Sequence, residues 1–200
     1  MEQLRRIRMP ESQIHIEYAM VEFDRFLREA RAYSHIERFC PVPERIYFPQ
    51  FHGIITDLDR SRFSSGYAQR RAIVLEAIKP DFRSRRILAA DNPLALPGSF
   101  QEDIEKLSLS PFERDWYCSL LGDRLRRLGA LHRIGVTHGD VKDWHFRLPG
   151  DFHDTVCFDF SDSYTFSPKW PFRVSSGRPR PLSRISEGER KRVELQVKDR

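Results

Sequence analysis

Histidines and aspartates are concentrated in residues 137–163, the stretch THGDVKDWHFRLPGDFHDTVCFDFSDS. Carboxylates and imidazoles at this density can exchange protons with a substrate or bind a cation. The apolar pair Val156 and Phe158 beside Asp159 is typical of a buried strand. A plain buried strand, however, would not tolerate Asp159 and Asp162. Local burial and local charge therefore conflict here, and such conflicts are expected at functional sites.

The composition indicates a folded globule with a basic tail. Two hundred residues suit one domain, and 40% hydrophobic with 12% aromatic content is enough for a real core. Residues 178–200 carry eight Lys or Arg and four Asp or Glu, so they account for +4 of the formal net charge of +5. The rest of the chain is close to neutral, which favours a solvated tail over a nucleic-acid partner.

The three cysteines, Cys40, Cys118 and Cys157, are far apart and form no Cys-x-x-Cys pair. This pattern gives neither a disulfide framework nor a zinc ribbon and favours a reducing compartment. The first residues lack an apolar signal core, and no window approaches a membrane-spanning length. The chain is therefore predicted to be intracellular, either cytoplasmic or nuclear, with no membrane partner.

Helices and strands on both sides of the stretch must position its side chains. The hydrophobic periodicity predicts a helix within 14–39, an extended piece Ile46–Ile55, a strand Ala72–Leu75, a helix Ser110–Gly135, a strand Thr155–Phe160 and a short polar helix 186–198.

The helix after Ser110 has the clearest signals. Ser110 is an N-cap residue, Pro111 fits the first helical position, and Glu113 completes a capping box. Gly135 provides the stop. The apolar stripe of this helix is predicted to be core and consists of Trp116, Tyr117, Leu120, Leu121, Leu125, Leu128 and Leu131.

Two segments are predicted to lack a stable fold of their own. Residues 81–109 contain breakers at Pro93, Pro97 and Gly98, so they are predicted to be irregular or weakly helical. Residues 165–200 are predicted to be mostly exposed and mobile, so that deletion of 186–200 costs little stability.

Two spaced motifs resemble the protein-kinase-like superfamily. In HGDVKDWH, His138, Asp140 and Lys142 match the catalytic loop of that superfamily, and Gly139 matches the form found in aminoglycoside and choline kinases. Nineteen residues after Asp140, the sequence FDFS resembles the Asp-Phe-Gly turn. Glu29 in FLREARAY matches the glutamate of the family's helix C, and the resemblance covers about residues 20–165.

The resemblance implies an α+β, protein-kinase-like fold with a truncated N-terminal lobe and an incomplete C-terminal lobe. An N-terminal extension would occupy 1–13 and the kinase-like domain 14–165. Within that domain, 14–80 would form the partial N-lobe and 81–165 the part of the C-lobe that carries the catalytic loop. A proline-rich and basic tail would occupy 166–200.

The resemblance also assigns roles in phosphoryl transfer, a reaction that depends on positioned charge. Asp140 would accept or orient the proton of an acceptor hydroxyl, and Lys142 would offer a positive charge to the transferring phosphate. His138 would brace the loop structurally.

The implied cofactors are Mg²⁺ and ATP. Asp159 would hold the metal through its carboxylate, with His145 at the second metal position. Glu29 would face the nucleotide phosphates, and backbone groups of Glu76, Ala77 and Ile78 would receive the adenine.

Several departures from the family pattern point to weak function. His145 replaces a metal-binding asparagine, and imidazole suits Mg²⁺ poorly. No glycine precedes Gly53 and no lysine precedes Lys79, so the glycine-rich loop and the strand lysine are missing. We therefore expect weak or absent catalysis and weak binding of Mg²⁺–ATP.

Three alternatives remain open at this point. The chain can be a non-catalytic, pseudokinase-type module that binds a nucleotide or a protein partner. It can also be an active kinase for a small hydroxylated acceptor, with Trp144 as either a packing anchor or a wall of the acceptor site. As a third alternative, His138, Asp140 and His145 are the metal ligands of a hydrolase.

Overall fold

The structure is a computed structural model that describes residues 22–62, 64, 69–78, 96–147, 154, 156–173 and 178–200 of the 200-residue chain. The predicted extension 1–13, the beginning of the first predicted helix, residues 81–95 and Thr155 lie outside the described residues.

Helix α1, Arg25–Phe39, begins at an aspartate N-cap. The Asp24 carboxylate accepts hydrogen bonds from the backbone N–H groups of Phe26 and Leu27, which have no partner within the helix. Tyr33 and Ile36 on one face are buried, as the helical periodicity predicts. A 3₁₀ helix, Val42–Tyr47, follows where the prolines predict a loop.

Strands β1, Phe51–Ile55, and β2, Ala72–Leu75, form an antiparallel pair. Both are in the positions that the sequence predicts for extended chain. The register shifts between Phe51 and Gly53, and Gly53 takes a φ of 130° that side-chain-bearing residues rarely adopt.

Helix α2, Gly98–Lys106, replaces part of the segment that is predicted to be irregular or weakly helical. Gly98 does not break this helix but begins it, and Phe100 and Ile104 bury their side chains. Tertiary burial of these two apolar residues outweighs the low helix propensity of glycine at the end of a helix.

Helix α3, Pro111–Arg133, confirms the strongest local prediction, including the reciprocal capping box between Ser110 and Glu113. Its C-terminal two thirds are buried on almost every side, and the buried set includes Arg124 and Arg127 as well as the leucines. A helix surrounded in this way holds the elements around it together.

Strand β3, Val136–Thr137, pairs with β4, Tyr164–Thr165. The strand predicted at Thr155–Phe160 is wrong, because residues 156–160 form no regular strand. Their backbone N–H groups instead bond to separate loops: Val156 to Phe146 and Cys157 to Tyr47. The apolar side chains there are buried, but by loop packing rather than by a sheet.

The predicted exposed and mobile tail is also wrong for its last part. Strands β5, Phe172–Arg173, and β6, Arg180–Pro181, pair and lead into helix α4, Leu182–Lys198. Helix α4 packs against α3 and β3 and buries Glu189, Val193 and Val197. The sequence predicted a short polar helix here, but not that the helix joins the core.

The fold is of the mixed α+β class, and its strands in the described ranges pair two by two. One core runs from α1 across α3 to α4 and includes Tyr33, Phe48, Phe100, Leu121, Leu128, Phe146, Phe160 and Val193. In the part of the chain that the structure describes, no helix is both long and apolar enough to cross a bilayer.

Candidate active site around Asp140 and Asp159

The loop that carries Asp140 follows directly from the end of α3. Gly135, with a φ of 80°, ends the helix and turns the chain into β3, whose pairing with β4 fixes where the loop begins. Gly139 has a φ of 85°, and a Cβ atom at this position would overlap the carbonyl oxygen of Asp162. Only glycine therefore allows the loop and the 160–163 turn to lie against each other.

Glu189 of α4 holds the same loop through hydrogen bonds to its backbone. Its carboxylate accepts hydrogen bonds from the backbone N–H groups of Gly139 at 2.6 Å and His138 at 3.2 Å, and it contacts His132 Nε2 at 2.7 Å. Burial alone would raise the pKa of Glu189, but the bonds from His132 and Gly139 lower it below its usual value. Sequence reasoning missed this residue, because a glutamate in a basic tail carries no signal of burial.

His138 lies in the core of the site. Its side chain is fully buried, Nε2 lies 3.0 Å from the backbone oxygen of Phe158, and its ring stacks on that of His145 at 5.2 Å. A carbonyl can only accept, so Nε2 carries the proton. Burial lowers the pKa of His138, so the ring is neutral. His138 thus connects the loop to the 156–160 segment.

His145 contacts both acidic segments. Its Nδ1 lies 2.7 Å from the backbone oxygen of Asp140, and its Nε2 lies 3.2 Å from Oδ2 of Asp159. Both partners can only accept hydrogen bonds, since an ionised carboxylate has no proton, so both ring nitrogens must donate and the ring is an imidazolium. Burial opposes this charge, but the bonds to Asp159 and Asp140 raise the pKa of His145 overall.

Asp159 has a strained backbone with a φ of 63°, unusual for a residue with a side chain. The hydrogen bond from His145 holds the pKa of Asp159 well below its usual value, although partial burial opposes this effect. Strained conformations of this kind are maintained by the surrounding structure and cluster at functional sites. The side chain is 41% exposed, so the carboxylate can also reach a ligand.

Asp140 and Lys142 face solvent side by side. The Lys142 ammonium lies 2.6 Å from Oδ2 of Asp140 and 5.5 Å from the centre of the Trp144 ring. Trp144 is 59% exposed, so it is not a packing anchor. The role of Trp144 as a wall of an acceptor site stays a prediction.

Glu29 lies on α1, facing Asp159. Burial and the charge of Asp159 raise the pKa of Glu29 to about 7, and a hydrogen bond from the Phe160 backbone partly opposes the shift. Neither a lysine nor an arginine of the described ranges lies within ion-pair distance of Glu29. The neighbouring arginines bind other groups: Arg28 binds Asp162 and Arg31 binds Glu22.

The predicted adenine-binding segment Glu76–Ile78 follows β2 without regular structure. The backbone N–H of Glu76 donates to the oxygen of Gln50, and the Glu76 carboxylate accepts from the N–H of Gln50. The first residue of the segment is therefore tied to the neighbouring chain, while Ala77 is exposed.

The two predicted metal ligands fit Mg²⁺ differently. Asp159 offers the oxygen donor that Mg²⁺ prefers, but His145 does not, because its ring nitrogens are protonated and already bonded. The described residues also contain no group of three or more His, Cys, Asp or Glu side chains arranged to hold a metal ion. One carboxylate does not make a protein-built magnesium site.

The same contacts argue against the metal-hydrolase alternative. His138 directs Nε2 at the Phe158 carbonyl, and both nitrogens of His145 are used by Asp140 and Asp159. His145 therefore offers no lone pair to a metal, and the free lone pair of His138, on Nδ1, is buried without a polar partner.

A buried ionic network supports the loop from α3, and sequence reasoning missed it. Arg124, fully buried, binds Asp154 at 2.6 Å and Asp143 of the loop at 2.7 Å. The bonds to Asp154 and Asp143 raise the pKa of Arg124 although burial opposes this. Arg124 and Arg127 lie between the leucines of the predicted stripe, but the sequence did not predict that they are buried.

Comparison with protein-family models, with curated proteins and with solved structures gives no significant match to this chain.

Proposed function

We propose that the chain is a protein-kinase-like domain related to ATP-dependent phosphotransferases, with weak or absent catalysis. The observation that carries this proposal is the position of His145, which bonds to the Asp140 backbone and to the Asp159 carboxylate at once. The backbone of Asp140 and the carboxylate of Asp159, nineteen positions apart in sequence, thus bond to the same ring. The elements around them agree with the resemblance in order: α1, the β1–β2 pair, α3, then the loop.

The solvent-facing pair supports a residual capacity for transfer. Asp140 is an acceptor for the proton of a hydroxyl group, and Lys142 beside it supplies positive charge where a phosphoryl group would develop negative charge. Both side chains are partly exposed, so an acceptor can reach them.

The charges around Asp159 support weak nucleotide binding. The imidazolium of His145 competes with a metal ion for the Asp159 carboxylate. Glu29 adds a carboxyl group on the other side, with no lysine or arginine of the described ranges paired to it. A triphosphate would meet little positive charge here, and each missing charge-assisted contact costs about 1.5–3 kcal/mol.

A non-catalytic, pseudokinase-type binding module is the first alternative. Glu189 and Arg124 hold the loop in place, whereas His145 occupies the Asp159 carboxylate that would bind a metal. An ordered loop beside an occupied metal ligand favours a binding role over catalysis. An active small-molecule kinase is the second, favoured by the exposed Trp144 ring beside Asp140 and Lys142. Either function would be carried out in a reducing intracellular compartment. The three free cysteines support this location.

Calorimetric titration of the full chain with ATP, with and without Mg²⁺, tests the proposal. We expect a dissociation constant in the high-micromolar to millimolar range, with Asp159→Asn abolishing the metal dependence and the exposed Asp57→Asn leaving it unchanged. A tight, Mg²⁺-dependent isotherm would overturn weak binding. Turnover on small hydroxylated acceptors that is lost in Asp140→Ala would establish the active enzyme instead.

A further inference from the structure

An open cleft lies between the beginning of α1 and strand β2, and Glu29 is one of its lining residues. Its volume is about 860 Å³, within the range of roughly 300–1,000 Å³ that small-molecule sites occupy. The lining residues are Phe23, Asp24, Arg25, Phe26, Glu29, Gln69, Arg71, Ala72, Ile73 and Leu75.

The lining of the cleft is half apolar and half polar or charged. Phe23 and Phe26 come from the α1 side, and Ile73 and Leu75 come from β2. Phe23 is an exposed large apolar side chain, at 37%. A concave surface that combines aromatic and aliphatic side chains with charged groups can bind a small molecule that has an apolar body and a charged group.

The charges in the cleft are matched except at Glu29. Arg71 binds Asp24 through two hydrogen bonds, at 2.6 Å and 3.3 Å, and lies 4.6 Å over the Phe26 ring. Arg25, which also lines the cleft, lies 3.8 Å from Asp162 and is 72% exposed. Glu29 remains as a half-buried carboxyl group to which no described lysine or arginine is paired.

We propose that this cleft binds a small organic cation, a protonated primary amine on an aromatic or apolar body, with its ammonium group against Glu29. The ammonium group of the ligand is the positively charged partner that the Glu29 carboxylate lacks among the described residues. The apolar body of the ligand covers the faces of Phe26, Ile73 and Leu75. A negatively charged group placed against Glu29 would be repelled by the Glu29 carboxylate and by the charge of Asp159. The site is distinct in ligand charge from a nucleotide site and does not depend on phosphoryl transfer.

Benzylamine is the probe, titrated calorimetrically into the full chain without divalent cations at about pH 8. This pH is above the pKa of Glu29, which burial and Asp159 raise to about 7, and the amine is still protonated. We expect saturable binding in the millimolar range, typical of so small a ligand. Benzyl alcohol, which has nearly the same shape but no charge, should bind at least about tenfold more weakly.

Matched variants locate the site. Glu29→Gln should weaken benzylamine binding about tenfold or more, whereas Glu102→Gln, on the exposed side of α2, should not change it. Phe26→Ala should weaken the binding of both benzylamine and benzyl alcohol. If Glu29→Gln does not fold, Glu29→Ala replaces it and should likewise remove the preference for benzylamine over benzyl alcohol.

Three results would overturn the proposal: no saturable binding of benzylamine, equal binding of benzyl alcohol, or full affinity in Glu29→Gln. A short lysine-containing peptide that binds at least tenfold more tightly than benzylamine would also overturn it, because the cleft would then take a polypeptide.

Discussion

The imidazole ring of His145 and the carboxylate of Asp159 lie 3.2 Å apart, and the second nitrogen of the ring lies 2.7 Å from the backbone oxygen of Asp140. Because both partners accept, His145 is charged and neutralises Asp159. One residue thus joins the two acidic segments of the site and at the same time occupies the carboxylate that a metal would need.

Replacement of His145 by asparagine should strengthen metal-dependent nucleotide binding. The substitution removes the positive charge from Asp159 and introduces an amide oxygen, a ligand type that Mg²⁺ accepts. We expect Mg²⁺–ATP affinity, measured by calorimetry, to rise about tenfold, the equivalent of one charge-assisted contact. The exposed His52→Asn is the control. Unchanged affinity in His145→Asn would show that the imidazolium does not compete with the metal.

The carboxyl group of Glu29 should make the stability of the chain depend on pH. Burial and Asp159 raise the pKa of Glu29 from 4.5 to about 7, so the folded chain holds a proton that the unfolded chain has lost. This contribution to stability is complete below pH 4.5 and is lost as the pH rises through 7.

Glu29→Gln should therefore be more stable than the wild type near pH 8, by up to about 3 kcal/mol, and equal to it near pH 4. Urea unfolding at both pH values measures the difference, with Glu102→Gln as the exposed control. A difference that is the same at both pH values would contradict the prediction, because it would not follow the titration of Glu29.

Loss of the Glu189 charge should destabilise the loop that carries Asp140. Glu189→Gln keeps the shape but weakens the bonds to His132 and to the backbone N–H groups of His138 and Gly139. We expect the free energy of unfolding to fall by about 2–4 kcal/mol, since a buried charged partner is removed. Glu187→Gln on the exposed side of the same helix should have almost no effect. Equal effects of the two variants would show that α4 does not hold the loop.

Alanine at position 139 should disrupt the contact between the loop and the 160–163 turn. The added Cβ would overlap the backbone of Asp162, and the φ of 85° is unfavourable for alanine. We expect a loss of about 2 kcal/mol or more in thermal or urea unfolding. Gly188→Ala is a matched control in open space on α4, where helix propensity should stabilise by roughly 0.5–1 kcal/mol. Similar stability of both variants would contradict the close approach.

Local signals allowed several elements to be predicted from the sequence. Helix α3 was predicted with its cap because Ser110 and Glu113 bond across one turn, whatever surrounds them. Strand β2 was predicted from four consecutive apolar residues, and the residues of the candidate site were predicted from their types and spacing. These properties depend on neighbours in the chain.

Contacts between distant segments decided the rest. The burial of Glu189 depends on donors more than 49 residues away in sequence, and the charge of His145 depends on two acceptors from separate segments. Likewise, Thr155–Phe160 was predicted to be a strand from its apolar pattern. The backbone N–H groups of Val156 and Cys157, however, donate hydrogen bonds to loop residues and not to a partner strand. The sequence alone determined which chemical groups are present and which local elements form. Only the tertiary structure decided which groups meet, because burial and pairing of charge depend on segments that the chain brings together after long intervals.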